Sequence, residues 1–160
     1  MSNPESVARR KTAPVPADQC GLVYASALMG DRWSLLILRE AFYGVTRFDD
    51  LQADLGAPRQ ALADRLTRLV AAGVLARRAY REPGQRARHD YVLTDSGRAL
   101  APAFVALMQW GEAQAGLAPA LMLIDAETGA PVSPAFVDAE SRLVPASRVG
   151  VVVRKTGEQL

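Results

Sequence analysis

Between Leu55 and Leu93 the apolar positions change period, and that change divides the stretch into a helix and a ribbon. Leu62, Leu66, Leu69 and Val70 fall at i, i+4, i+7 and i+8, one stripe of a helix running to about Ala72. Pro58 suits the first helical turn, where an amide hydrogen would go unused, and Gly73 suits the position just past the end. At about 100° per residue, Gln60, Ala63, Asp64 and Thr67 point away from the stripe, with Arg59 on the exposed first turn. Beyond Gly73 the pattern shortens. Val74 to Tyr80 and Tyr91 to Leu93 read as strands around the turn chemistry of Glu82-Pro83-Gly84-Gln85, with Arg81, Arg86 and Arg88 flanking the tip.

The segments before this stretch are helical. Cys20 to Met29 forms a short helix stopped by Gly30, and a second runs from about Arg32, with Asp31 as N-cap, to Tyr43 before Gly44. Trp33, Leu35, Leu36, Ile37, Leu38, Ala41 and Phe42 cover most of that helix's circumference, which makes it the central buried one. Thr46-Arg-Phe-Asp49 resembles a capping box with Asp for Glu, opening a short helix with Phe48, Leu51 and Leu55 inward. This helix, the Gly56-Ala57 turn and the next helix make a helix-turn-helix, and the ribbon after it makes a wing.

Downstream, Thr94 caps a long helix over about Asp95 to Ala115, its stripe formed by Leu100, Phe104, Leu107, Met108, Gly111 and Ala115, with a bend expected at Pro102. Such a helix has more apolar surface than a compact winged unit can cover, and a second copy is the simplest cover. The last 43 residues differ: Leu121 to Ile124, Phe136-Val137 and Val149 to Val153 read as strands between two Asp-Ala-Glu turns. The predicted class is therefore mainly α with a β-wing (α+β), a winged helix-turn-helix with a small C-terminal β appendage. The expected divisions are a flexible arm over 1–18, the winged domain with its dimerisation helices over 19–117, and the extension over 118–160.

Charge adds an interaction to this outline. From Pro58 to Tyr91 the chain carries Arg59, Arg65, Arg68, Arg77, Arg78, Arg81, Arg86 and Arg88 against Asp64, Glu82 and Asp90, while the whole chain is only +2. A modest global charge concentrated on one segment suits a phosphate-binding face, because neutralised phosphates release condensed counterions. Arg59 and Gln60 are the first choices for base or phosphate contact, with Ala63, Asp64 and Thr67 behind them and Arg81, Arg86 and Arg88 for backbone or minor groove. Asp64 has a structural alternative, an i+4 pair with Arg68, and Arg65 is balanced between a structural anchor and a DNA contact. Arg9, Arg10 and Lys11 in the arm read as a solvated tail with DNA contact as the alternative.

Composition excludes more than it adds. One cysteine, Cys20, and one histidine, His89, allow neither an internal disulfide nor a His/Cys metal cluster, so no cofactor is expected. No apolar run is long enough to span a membrane and the first residues do not resemble a signal peptide, so a cytoplasmic protein is expected. There is no glycine-rich phosphate loop and no nucleophile constellation, and an enzyme is not expected. Trp33, Tyr43, Phe104 and Trp110, at helical spacing, read as core packing, with an effector cavity the alternative.

The residues resemble one family. Cys20, Gly30-Asp-Arg-Trp33 through Arg39, Arg47-Phe48-Asp-Asp-Leu51, Leu62-Ala-Asp-Arg65-Leu66, Gly73-Val-Leu75, Tyr91-Val-Leu-Thr94-Asp-Ser-Gly97 and Trp110-Gly111 look like the HxlR-type winged helix-turn-helix regulators, relatives of the MarR group. The match covers about residues 20 to 116. The resemblance implies a bacterial homodimer on double-stranded DNA, with the first and last core helices, and so Leu22, Leu28, Phe104, Leu107, Met108 and Gly111, at the dimer interface. It implies a sensor reading of Cys20 beside the reading as a small buried hydrophobe, and a small-molecule effector of unknown identity. Family members often carry Ser or Thr where Pro58 stands. The same chain features also admit a winged-helix module for protein–protein interaction without DNA binding.

Overall fold

The computed structural model describes residues 15–81, 84, 88–119 and 121–151. The arm with Arg9, Arg10 and Lys11, the position of Arg86 and the residues after Val151 lie outside them. Residues 28–135 form one compact unit, and the described parts of 15–27 and 136–151 belong to a second.

In the larger unit, helix α1 (Gly21–Met29) delivers its last two residues, and helix α2 (Arg32–Phe42) follows. Asp31 caps α2 as the sequence predicts: its Oδ1 accepts the amides of Trp33 and Ser34 at 3.1 Å each, and the Ser34 hydroxyl donates to Oδ2 at 2.6 Å. Helix α3 (Phe48–Leu55) ends in Gly56 at φ 59°, a left-handed turn that glycine adopts without a Cβ penalty, and helix α4 (Arg59–Ala71) starts three residues on. Leu62, Leu66 and Leu69 of α4 seal against Ile37 and Leu38 of α2, Leu51 of α3, and Val74 and Leu75. Leu28, Trp33, Phe48, Leu100 and Phe104 pack on this core from its edge, and the Phe104 and Phe42 rings lie 5.2 Å apart. Burial of such aliphatic side chains is worth about 1.5–3 kcal/mol each, so this cluster sets the geometry of everything attached to α4.

Strands β1 (Leu75–Tyr80) and β2 (Arg88–Leu93) pair antiparallel from Leu75 opposite Leu93 to Tyr80 opposite Arg88. Helix α5 (Asp95–Arg98) returns the chain to the core: Thr94 Oγ1 accepts the Gly97 amide at 3.1 Å and donates to the Gly73 carbonyl at 2.6 Å, joining its cap to the turn after α4. Gly97 is required by that closeness, since a Cβ there would collide with the Val74 carbonyl.

Several expectations are corrected. Pro58 stands at the N-cap, one residue outside α4, with extended backbone (ψ 133°) and no side-chain cap. The Thr46–Asp49 capping box does not form, because residues 46–47 are used as a sheet edge: Tyr91 donates to the Thr46 carbonyl at 2.8 Å and Arg47 bridges Asp90, and Arg47 stands at the N-cap with no side-chain capping bond to α3. The single bent helix over 95–115 is two helices, α5 and α6 (Ala101–Ala115), broken at Ala99-Leu100. Pro102 lies in the first turn of α6, where its missing amide costs no ladder bond.

The extension is also rearranged. Leu121 to Ile124 contributes only the bridge of Ile124 to Pro131, and strand β3 (Phe136–Val137) pairs with β4 (Leu143–Val144). Val149 to Val151 are not strand, because Val149 closes a short 3-10 turn over Ala146–Arg148. The two Asp-Ala-Glu turns act alike: Asp125 accepts the Glu127 amide at 2.9 Å, and Asp138 accepts the Glu140 amide at 3.0 Å.

Candidate nucleic-acid interface

The α3–turn–α4 pair presents one side of α4 to solvent because the other is committed to the core. Arg59, Gln60, Asp64 and Thr67 are exposed and Ala63 half-buried, the face predicted from periodicity. Their contacts qualify their roles. Gln60 Nε2 donates to Asp64 Oδ1 at 2.8 Å, so Asp64 takes Gln60 as a partner, and the Thr67 hydroxyl donates to the Ala63 carbonyl at 2.8 Å. Arg59 lies back across α3, its guanidinium 4.8 Å from the centre of the Phe48 ring and 3.4 Å from Gln52 Oε1. The amides at the start of α4 meet no side-chain cap, which leaves a positive helix end open to an anion.

Arg65 resolves as an anchor: its Nε stands 3.0 Å from Asp31 Oδ1, joining α4 to the cap of α2. Burial raises the Asp31 pKa, but the Ser34 hydroxyl and amide and the Arg65 guanidinium outweigh it and hold the carboxyl below its ordinary value.

The wing supplies the second arm of the face. Arg81 is exposed at the end of β1, Arg88 opens β2, and Arg88 Nη1 donates to Asp49 Oδ2 at 3.1 Å. Between the wing and the starts of α3 and α4 is an open cleft of about 380 Å³ whose lining includes Arg47, Asp49, Arg59, Arg77, Arg88 and His89. Arg47 stands 4.7 Å over the Tyr80 ring and Arg77 5.9 Å from that of Tyr91, contacts that hold each guanidinium against an aromatic face. Sequence reasoning counted Arg77 without singling it out, treated Asp49 as a capping residue and gave Arg47, inside the same box, no role. Strand alternation was the available signal for Arg77, whereas nothing in the spacing placed Arg47 beside the wing. Arg78 pairs with the buried Asp90 opposite it at 3.1 Å, tying the two wing strands together at mid-ladder.

Leu22 (76% exposed) lies on α1, and Leu107 (57%) and Trp110 (65%) on α6, which has no buried residue. Leu28 and Phe104 instead pack on the core's edge, Met108 receives the Tyr43 hydroxyl at 3.7 Å, and Gly111 is half-buried. Trp33 and Phe104 take places at the edge of the core. Cys20 is partly exposed just before α1. Among the described residues no helix is long and apolar enough to cross a membrane, and no group of three or more His, Cys, Asp or Glu could hold a metal ion.

Comparison with known proteins agrees with this architecture. The family model for the HxlR-like helix-turn-helix matches residues 28–118, more than half of the chain. The chain belongs to that family. Over 88 residues it is 51% identical to an uncharacterized HTH-type transcriptional regulator of Mycobacterium tuberculosis, Rv3095, covering 55% of this chain and 54% of the relative. The chain thus spans about half the length of these curated relatives. Among solved structures, PA1607, described as a candidate transcription factor, is 35% identical with a TM-score of 0.67, covering 83% of this chain and 94% of its own. PA1374 of Pseudomonas aeruginosa, described in the same terms, is 30% identical with a TM-score of 0.58, covering 88% and 96%. The HxlR-type chain is a winged helix-turn-helix of the α+β class.

Proposed function

We propose that this HxlR-type chain is a sequence-specific DNA-binding transcriptional regulator, without catalysis, that acts as a homodimer. The observation that carries the reading is the convergence of one exposed helix face, an uncapped helix start and an arginine-lined wing on one side of a winged helix-turn-helix. Helix α4 enters the major groove with Gln60, Ala63, Asp64 and Thr67, while Arg59, Arg81 and Arg88 meet backbone or minor groove. Arg86 extends this arm in the sequence. The dimer is supported by the exposed apolar residues of α6 and, separately, of α1, and two copies match two half-sites. The domain divisions at 18 and 117 go with this proposal, the extension being reserved for partner or dimer contact.

Gel retardation across a salt series tests it. Affinity should fall steeply with log salt, with a slope near −0.9 per phosphate neutralised. Arg59→Ala should weaken binding to all duplexes, and Gln60→Ala should relax sequence preference by about 1–3 kcal/mol at one base pair. No retention at low salt would replace this reading with a protein-interaction module, and wild-type binding by both variants would mean that another face enters the groove.

Control by a small molecule or by modification of Cys20 is part of the same proposal. Its support is the family resemblance and the partly exposed thiol ahead of α1. Diamide should release the wild-type protein from DNA and leave the Cys20→Ser variant bound; an equal response in both removes the thiol from the mechanism.

A further inference from the structure

The cleft between wing and helix starts contains an acidic group that a phosphate-binding surface would not be expected to carry. Asp49, in the first turn of α3, faces two arginines at once. Arg88 approaches Oδ2 from the wing at 3.1 Å, and Arg59 stands 4.0 Å from Oδ1 on the side of α4. The Asp49 side chain is 64% exposed, so the pair of contacts is open to solvent. Asp50, one residue on, lines the same cleft and has no ion pair among the described residues. Arg47 and Arg77 of the same cleft stand over the Tyr80 and Tyr91 rings. Asp49 therefore sits where the two arms of the basic face meet, each oxygen turned to one guanidinium.

Two guanidiniums converging on a pair of oxygens is also how arginine meets a phosphodiester. Resting on the DNA-binding reading above, we propose that Asp49 occupies, in the free protein, the place of a backbone phosphate. It holds Arg59 and Arg88 at phosphate-binding spacing before DNA arrives. On the duplex the phosphodiester takes over both arginines, and the displaced carboxylate stays beside it as a like charge. Because every duplex presents the same phosphates, Asp49 lowers affinity for all sequences alike and keeps non-specific retention down. It is a positioning residue that tunes strength and salt response, leaving sequence choice to α4.

The test compares the full chain with Asp49→Asn, Asp50→Asn, Arg88→Ala and the Asp49→Asn/Arg88→Ala pair on a labelled mixed-sequence duplex, read by fluorescence anisotropy through a salt series. Asp49→Asn is isosteric and exposed, and should tighten binding at low salt by about threefold or more, the order expected when one like charge is removed within a Debye length of a phosphate. Asp50→Asn should gain less, and the gain from Asp49→Asn should shrink in the Arg88→Ala background. Equal or weaker binding by Asp49→Asn overturns the proposal. So does an equal gain from Asp50→Asn, which would reduce the effect to net charge, or an undiminished gain without Arg88. If the wild-type chain itself fails to bind the duplex at low salt, the DNA-binding reading fails and takes this inference with it; binding by wild type without the Asp49 effect removes the inference alone.

Discussion

The winged core and the C-terminal extension are held together by different kinds of contact. In the core, Ile37, Leu38, Leu62, Leu66 and Leu69 are wholly buried, and the Asp31 and Thr94 caps fix the helix starts around that cluster. From Leu121 to Val151 no residue is buried; Phe136 and Leu143 are exposed although both are in strands. There the chain is shaped by short polar contacts, chiefly Asp125 and Asp138 gathering amides two residues on and Arg142 returning to Asp138 at 2.8 Å. A core contact is cooperative, because removing it leaves a cavity among many neighbours; a turn contact is local and shared with water.

The largest expected effect tests that difference directly. Leu66→Ala should destabilise the protein by about 2–5 kcal/mol, whereas Leu143→Ala should cost less than about 0.5 kcal/mol. Urea unfolding followed by circular dichroism measures both. A comparable cost for Leu143→Ala would break the comparison, since it would mean that this strand is covered in solution, and repeating the measurement at higher protein concentration would show whether a second copy covers it.

The same difference explains what was legible in the sequence. Helices α3 and α4 follow from apolar spacing, because burial imposes that spacing on Leu51, Leu62, Leu66 and Leu69, whereas α1, with no buried residue, and the wing were legible from their glycine stop and turn residues. The face of Gln60, Asp64 and Thr67 follows too, as the complement of the buried stripe. Pro102 was read as a bend inside one helix, but it opens α6, and the break before it depends on how Thr94, Gly97 and Val74 pack at the wing's base. The Thr46 cap failed because a strand partner, Tyr91, competed for the same backbone, and that partner is distant in sequence. In the extension, the run of valines after Val149 outweighed Leu143-Val144 as a strand signal. The hairpin instead closes early, because Arg142 satisfies Asp138 with both its amide and its guanidinium. Asp49 was hidden for a related reason: an ion pair between a helix start and a wing leaves no periodicity behind.

A smaller effect sharpens the comparison, because one kind of aspartate contact occurs in both regions. Asp31, Asp125 and Asp138 all accept nearby amides, and all three carboxyls are held below their ordinary pKa. For Asp125 the Glu127 amide is the main cause and for Asp138 the Arg142 guanidinium, whereas Asp31 is lowered against a burial penalty by Ser34 and Arg65. A carboxyl with a depressed folded pKa contributes stability that is fully present above its unfolded value, about 3.9, and lost as pH falls through the folded value. All three contributions should therefore fade below about pH 4, but with different reach. Asp31 joins the start of α2 to Arg65 of α4, so its protonation should lower the global urea midpoint, and Asp31→Ala should cost about 1 kcal/mol at neutral pH and flatten that acid dependence. The turn aspartates are fully exposed, so the amides of Glu127 and Glu140 should shift by NMR through the same acid range without moving the midpoint. If Asp31→Ala keeps the wild-type midpoint and acid profile, the α2–α4 pair adds nothing beyond a local turn, and on this measure the core's edge is built like the extension.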